Sequence, residues 1–89
     1  MTIVTPTVHL NGTSAKALME GYLKAYRLLI EAGKALQEAA PHGRDYYVQS
    51  GNAVNVAIDQ HRARLRKIES VIEDLDFICV SISEQRKDR

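Results

Sequence analysis

The residues able to do chemistry crowd into one stretch of the chain: His42, Arg44, Asp45, Tyr46, Tyr47, Gln49, Asn52, Asn55, Asp59 and His61. Two of the four tyrosines stand here side by side. An arginine fork matches the oxygens of a phosphate. A tyrosine face stacks on a base or a sugar, worth about 1–3 kcal/mol per base in single-strand binders. A helix opening just after them adds unpaired amides and a partial positive charge, which favour an anion. His42, Arg44, Asp45, Tyr46, Tyr47, Asn52 and Asn55 are therefore the candidate ligand-binding residues, with a small nucleotide as the ligand their chemistry fits. The competing reading is a plug, in which the tyrosine pair closes the end of a helical bundle with bonded hydroxyls and Arg44–Asp45 ties the loop down.

Other chemistries lack their residue sets. The chain has no glycine-rich phosphate loop and no dinucleotide fingerprint. His42, Asp45, Asp59 and His61 match no metal-ligand spacing, and no catalytic residue, metal or cofactor is expected. Asp59 and His61, two apart on a helix, point in different directions, and no nucleophile–base set is visible, so the chain does not read as an enzyme. Cys79 lies on an apolar seam beside Asp74 and Asp76, where a small buried thiol is expected rather than a reactive one. A single cysteine excludes a disulfide within the chain and suits a reducing, cytoplasmic setting.

The elements that hold these residues are helices. Val54, Ile58, His61, Leu65, Ile68, Ile72, Leu75, Cys79 and Ile82 repeat at spacings of 4 and 3 without a slip, the seam of a long helix packed along another. His61 is its one polar member, expected to hydrogen-bond a tyrosine, an aspartate or the backbone. Ala57, Arg64, Val71 and Ile78 form a flank beside it. An earlier helix carries the stripe Leu18, Tyr22, Ala25, Leu29, Ala32, Leu36, Ala39 and a second one, Met19, Leu23, Tyr26, Ile30, Gly33. Gly33 costs about 1 kcal/mol relative to alanine, which the close approach of a neighbouring helix or a ligand would offset. Lys16, Glu20, Lys24, Arg27, Glu31, Lys34 and Glu38 fill the remaining face. Glu20–Lys24, Glu31–Lys34, Arg66–Glu69 and Arg62–Asp59 are spaced to pair.

The boundaries follow from turn chemistry. Residues 1–12 are an extended arm: Thr, Val and Ile favour extension, and Pro6 allows an edge strand at most. A frayed tail is the alternative. Asn11-Gly12-Thr13-Ser14 supplies a turn and a cap, with Gly12 free to take positive φ. Helix one spans 14–40, ended by Pro41, with Gly43 giving positive φ at its exit. The loop 41–51 exceeds the roughly 2–8 residues usual between bundle helices. Helix two spans 52–85, and 86–89 fray.

The chain of 89 residues makes a single domain, all-α: a long antiparallel helical hairpin with an extended N-terminal arm. Helix two, on the order of 50 Å, outruns helix one at roughly 38 Å, and both have broad apolar faces. Two helices cannot cover such faces alone, so the hairpin is expected to assemble into an oligomeric helical bundle, a dimer by default. Arg62, Arg64, Arg66 and Lys67 precede Glu69, Glu73, Asp74 and Asp76, a charge order that suits two copies of helix two crossing near Ile68. Net charge is +1, which gives no reason to expect nucleic acid or an anionic membrane as partner. No apolar run reaches the length of a membrane span, and the start has no secretory pattern.

His9-Leu10-Asn11-Gly12-Thr13-Ser14, then Pro41-His42-Gly43-Arg44-Asp45-Tyr46-Tyr47, then the helix around His61-Arg62, resemble a family of small bacteriophage and prophage proteins over most of the chain. In build and loop chemistry the chain is also similar to the phage anti-defence sponge proteins, which hold cyclic oligonucleotides or cyclic ADP-ribose-type signals between subunits without cleaving them. That likeness maps no motif residue by residue. It implies a non-enzymatic oligomer that sequesters a nucleotide-derived immune signal in the host cytoplasm. The other function in view is a protein–protein interaction module that docks through the spare stripe Met19, Leu23, Tyr26 and Ile30.

Overall fold

The computed structural model describes residues 2–49 and 51–87. Two helices dominate, α1 (Ala15–Glu38) and α2 (Ala53–Lys87), joined through a single 3₁₀ turn at Gly43–Asp45. They form an antiparallel hairpin 62 Å long and 24 × 18 Å across. The described residues include no strand.

α1 starts where Ser14 takes an extended backbone and its Oγ accepts from the Ala17 N–H at 3.1 Å. That satisfies one orphan amide of the first turn. The helix stops at Glu38, two residues short of the expected end. Pro41 cannot continue it, and the Ala39 N–H bonds back to Leu36. Positive φ falls at Gly51 (66°) among the described residues, and neither Gly12 nor Gly43 needs it. Gly43 instead opens the 3₁₀ turn. A Cβ on Gly12 would lie 2.6 Å from Nε2 of His9, an exposed ring that would have to swing aside. α2 runs on to Lys87, so Arg86 and Lys87, expected to fray, are helical.

The seam of α2 behaves as its spacing demands. Val54, Ile58, Leu65, Ile68, Ile72 and Leu75 are half-buried, and His61, Cys79 and Ile82 are buried. On α1 the outcome differs from expectation in a specific way. Met19, Leu23, Tyr26 and Ile30 are not spare. They are half-buried together with Leu18, Tyr22, Ala25, Leu29 and Leu36. Ala32 and Ala39 are exposed. A straight helix drifts about 20° per heptad against a strict 3.5 repeat. The 4–3 stripe of α1 therefore rotates away from α2 toward its C-terminal end, and the neighbouring stripe rotates in.

Gly33 does face α2. A Cβ built there would meet Cγ2 of Ile68 at 3.7 Å, an ordinary contact. The glycine permits a close approach without being required by it. Gly33→Ala is expected to raise stability by about 0.4–1 kcal/mol through the unfolded chain's lost freedom, read as a higher denaturant midpoint. A fall in the midpoint would mean that the helices approach more closely than this.

The arm packs on its own chain. Gln85 of α2 clamps it from both sides: Oε1 accepts from the Val8 N–H at 2.7 Å, and Nε2 donates to the Pro6 carbonyl at 2.9 Å. The Ser81 hydroxyl donates to Thr5 Oγ1 at 3.0 Å. The arm is neither a strand nor a loose tail. It runs parallel to the last turns of α2, and Ile3, Thr5, Pro6 and Val8 are half-buried there. Of the four expected ion pairs, Glu31–Lys34 forms, at 3.7 Å and exposed, and it is the single ion pair among the described residues.

Candidate functional site

The loop places its polar residues outward. His42, Arg44, Asp45, Asn52 and Asn55 are exposed, and Tyr47 is 80% exposed. Tyr46 and Pro41 are half-buried. The tyrosine pair thus splits: Tyr46 is half-buried, whereas Tyr47 offers its ring to solvent. A local reason is visible. His42 caps the 3₁₀ turn, its Nδ1 accepting from the Arg44 N–H at 3.2 Å, and the Asp45 and Tyr46 amides bond to the carbonyls of His42 and Gly43. This tight turn, followed by the Gln49 N–H to Tyr46 carbonyl bond, sends consecutive side chains to different sides. Arg44 and Asp45 form no ion pair among the described residues, and the bonds described in the loop are backbone ones together with the His42 cap.

His42, Arg44, Asp45, Tyr46, Tyr47, Asn52 and Asn55 lie at one end of the hairpin, away from the three grooves described below. The Asn52 carbonyl takes the Val56 N–H at 2.9 Å, the first bond of α2, and the amides just ahead of Val56 have no partner within the helix. Ser50, within the expected site stretch, lies outside the described residues.

His61 is one of the residues whose environment departs most from expectation. It is 7% exposed on the seam near the loop end, and its Nε2 has no hydrogen-bond partner. The expected bond from this nitrogen to tyrosine, aspartate or backbone is absent. Asp59 is exposed on another face of α2, as its two-residue offset requires. No group of three or more His, Cys, Asp or Glu side chains gathers in metal-binding array among the described residues. Burial pushes the Cys79 thiol up, and the Asp76 carboxylate adds to it. Its thiolate is therefore disfavoured at neutral pH.

The roomiest groove described lies at the opposite end of the molecule, where the arm turns into α1. It measures 390 Å³ and is lined by Val8, His9, Leu10, Ser14, Lys16 and Arg86 among others. Sequence spacing gave no signal for it, because Arg86 is more than seventy residues from His9 and is brought there by the Gln85 clamp. A shallower groove of 150 Å³ runs beside Gly33, between Ile30 and Gln37 of α1 and Leu65, Ile68 and Ile72 of α2. A third, of 330 Å³, is lined by Ala17, Leu18, Gly21, Tyr22 and Ala25 of α1 with Leu75 of α2.

No described helix is long and apolar enough to cross a membrane. Comparison with protein-family models, with characterised proteins and with solved structures finds no match to this chain.

Proposed function

We propose that this hairpin is the protomer of a non-enzymatic homo-oligomer, an association module that acts through helix faces rather than through a catalytic pocket. The observation that carries this reading is exposed area. The chain exposes 6917 Å², whereas a compact monomer of 10.0 kDa would expose about 5,200 Å². The surplus of about 1,700 Å² per chain is roughly twice what each partner contributes to a standard stable interface. The core agrees with this. Among the described apolar residues only Cys79 and Ile82 are buried, so most of the seam of a lone hairpin keeps part of its surface in water. Self-association supplies the support that a small domain with a single cysteine cannot draw from disulfides within the chain. Light scattering in solution tests it. The expected mass is an integer multiple, two or more, of 10.0 kDa. A mass of one chain at every concentration, with the helical signal intact, overturns the reading.

A second reading keeps the loop in use: the oligomer sequesters a nucleotide-type signal, in the manner of the phage anti-defence sponges, in a cytoplasmic setting. The observation in its favour is the outward Tyr47 ring in the same short turn as the exposed Arg44. Arg44 would take phosphate, Tyr47 would stack on a base or ribose, and Nε2 of His42, whose Nδ1 is committed to the turn, would set orientation with Asn52 and Asn55. Asp45 would accept from a sugar hydroxyl, and Tyr46 would support the loop from beneath. A pocket would then form where loop ends of two copies meet. Thermal-shift measurements with cyclic di- and trinucleotides and ADP-ribose derivatives decide it. A stabilising shift that Tyr47→Ala and Arg44→Ala each remove, at unchanged helicity, supports sequestration. No shift with any of these compounds sinks it.

A further inference from the structure

We infer that the face of α1 running through Ala17, Gly21, Leu28, Ala32 and Ala35 is the surface on which a second copy of this chain packs, α1 against antiparallel α1. This rests on the oligomer reading above and names the face that reading leaves open.

α1 has three faces. One looks onto α2. A second carries Lys16, Glu20, Arg27, Glu31, Lys34 and Glu38, all exposed. The third lies about a third of a turn round from the α2 side and carries the five residues named. All five are exposed, Leu28 by 60%, and Glu20, Lys24, Glu31 and Glu38 border them along one edge. Solvent-facing positions of a soluble helix are normally charged or polar, and a face of about 27 Å without a charge at its centre has no use inside the single chain.

Gly21 sharpens the point. A Cβ there would meet nothing within 4 Å, so packing within the chain does not ask for glycine. A glycine in a helix interior nevertheless costs about 1 kcal/mol relative to alanine. Close approach of another backbone gives it a purpose. The 330 Å³ groove sits on this same side, with Ala17, Gly21 and Ala25 as its low wall and Leu75 opposite. It is open and mostly apolar, and large enough to take a bulky apolar side chain. Leu28 is the large apolar residue that α1 leaves exposed. A two-fold antiparallel pairing about the middle of α1 sets Leu28 of the copy opposite Gly21, and Ala32 of the copy opposite Ala17. Each large side chain then meets a small one, and the contact is reciprocal, as a two-fold interface requires. The surplus surface derived above is enough for this contact and for flanking contacts from α2.

Disulfide trapping in the full chain tests the face. Position 24 lies next to the two-fold axis of this pairing, whereas Phe77, 55% exposed, lies on the side of α2 away from its seam. Under mild oxidation Lys24→Cys is expected to give a covalent dimer, and Phe77→Cys and the wild type, which has only buried Cys79, are expected to give none. Trapping through Phe77→Cys alone, or through both variants equally, overturns this face while leaving an oligomer standing. A single-chain mass by light scattering overturns the oligomer reading and this inference with it. Leu28→Glu keeps helix propensity and places a carboxylate in the contact, so dimer dissociation on dilution should shift by at least about tenfold. An unchanged dissociation profile in a helical sample counts against the face.

Discussion

Ile82→Ala is expected to destabilise the protein by about 2–5 kcal/mol, the largest loss of any single truncation on the seam. Ile82 is 0% exposed, and it lies on the turns of α2 along which the arm is bonded. Ser81 and Gln85 on either side of it hold Thr5, Pro6 and Val8 in place. Removing three carbons there leaves a cavity that a tethered arm cannot fill by collapse, so transfer and cavity terms add. The same truncation at Val80, 48% exposed on the neighbouring face, should cost under about 1 kcal/mol. Urea titrations at one fixed protein concentration, needed because association shifts apparent stability, give the comparison. Equal losses at the two positions would show that the arm does not cover Ile82 in solution.

His61→Leu should change stability in the other direction, by about 1–3 kcal/mol upward. A buried ring nitrogen without a partner has lost its water and gained nothing in exchange. Leucine is close in volume, continues the apolar seam and has no polar atom to satisfy. His61→Ala is the control. It relieves the same nitrogen but opens a cavity, so it should fall well below the leucine variant. A leucine variant less stable than wild type by 1 kcal/mol or more would establish that the imidazole is bonded in solution, for example within the assembled oligomer. If the histidine is retained for register at a polar seam position, the leucine variant should instead show a broadened distribution of masses.

Much of the build was readable from spacing. The unbroken seam from Val54 to Ile82 specified a long helix and its buried side, and every seam residue is at least half-buried. Pro41 and Ser14 marked α1 to within two residues because their effects are local. What failed to read out depends on geometry that no local rule carries. Alanine suits a helix whether it faces core or water, so Ala32 and Ala39 could be placed in a buried stripe although the drift of a straight helix exposes them. For the same reason the uncovered side of α1 was invisible until exposure was known. Tyr46 and Tyr47 are alike in chemistry, and only the turn capped by His42 separates the half-buried ring from the outward one. The arm's partners, Ser81 and Gln85, lie at the far end of the chain, where composition offers no pointer to them.

The Gln85 clamp also sets the order in which the chain can assemble. Val8 and Gln85 are 77 positions apart, whereas residues either side of the 3₁₀ turn need close only a short loop. Loop-closure entropy grows with the logarithm of that separation, so the hairpin is favoured to zip from Pro41 outward, with the arm docking after α1 and α2 have met. Contacts made that late are absent from the transition state. Strengthening the clamp would then leave the folding rate nearly unchanged and slow unfolding instead. The arm works as a latch on the lifetime of the folded hairpin, not on the speed at which it forms.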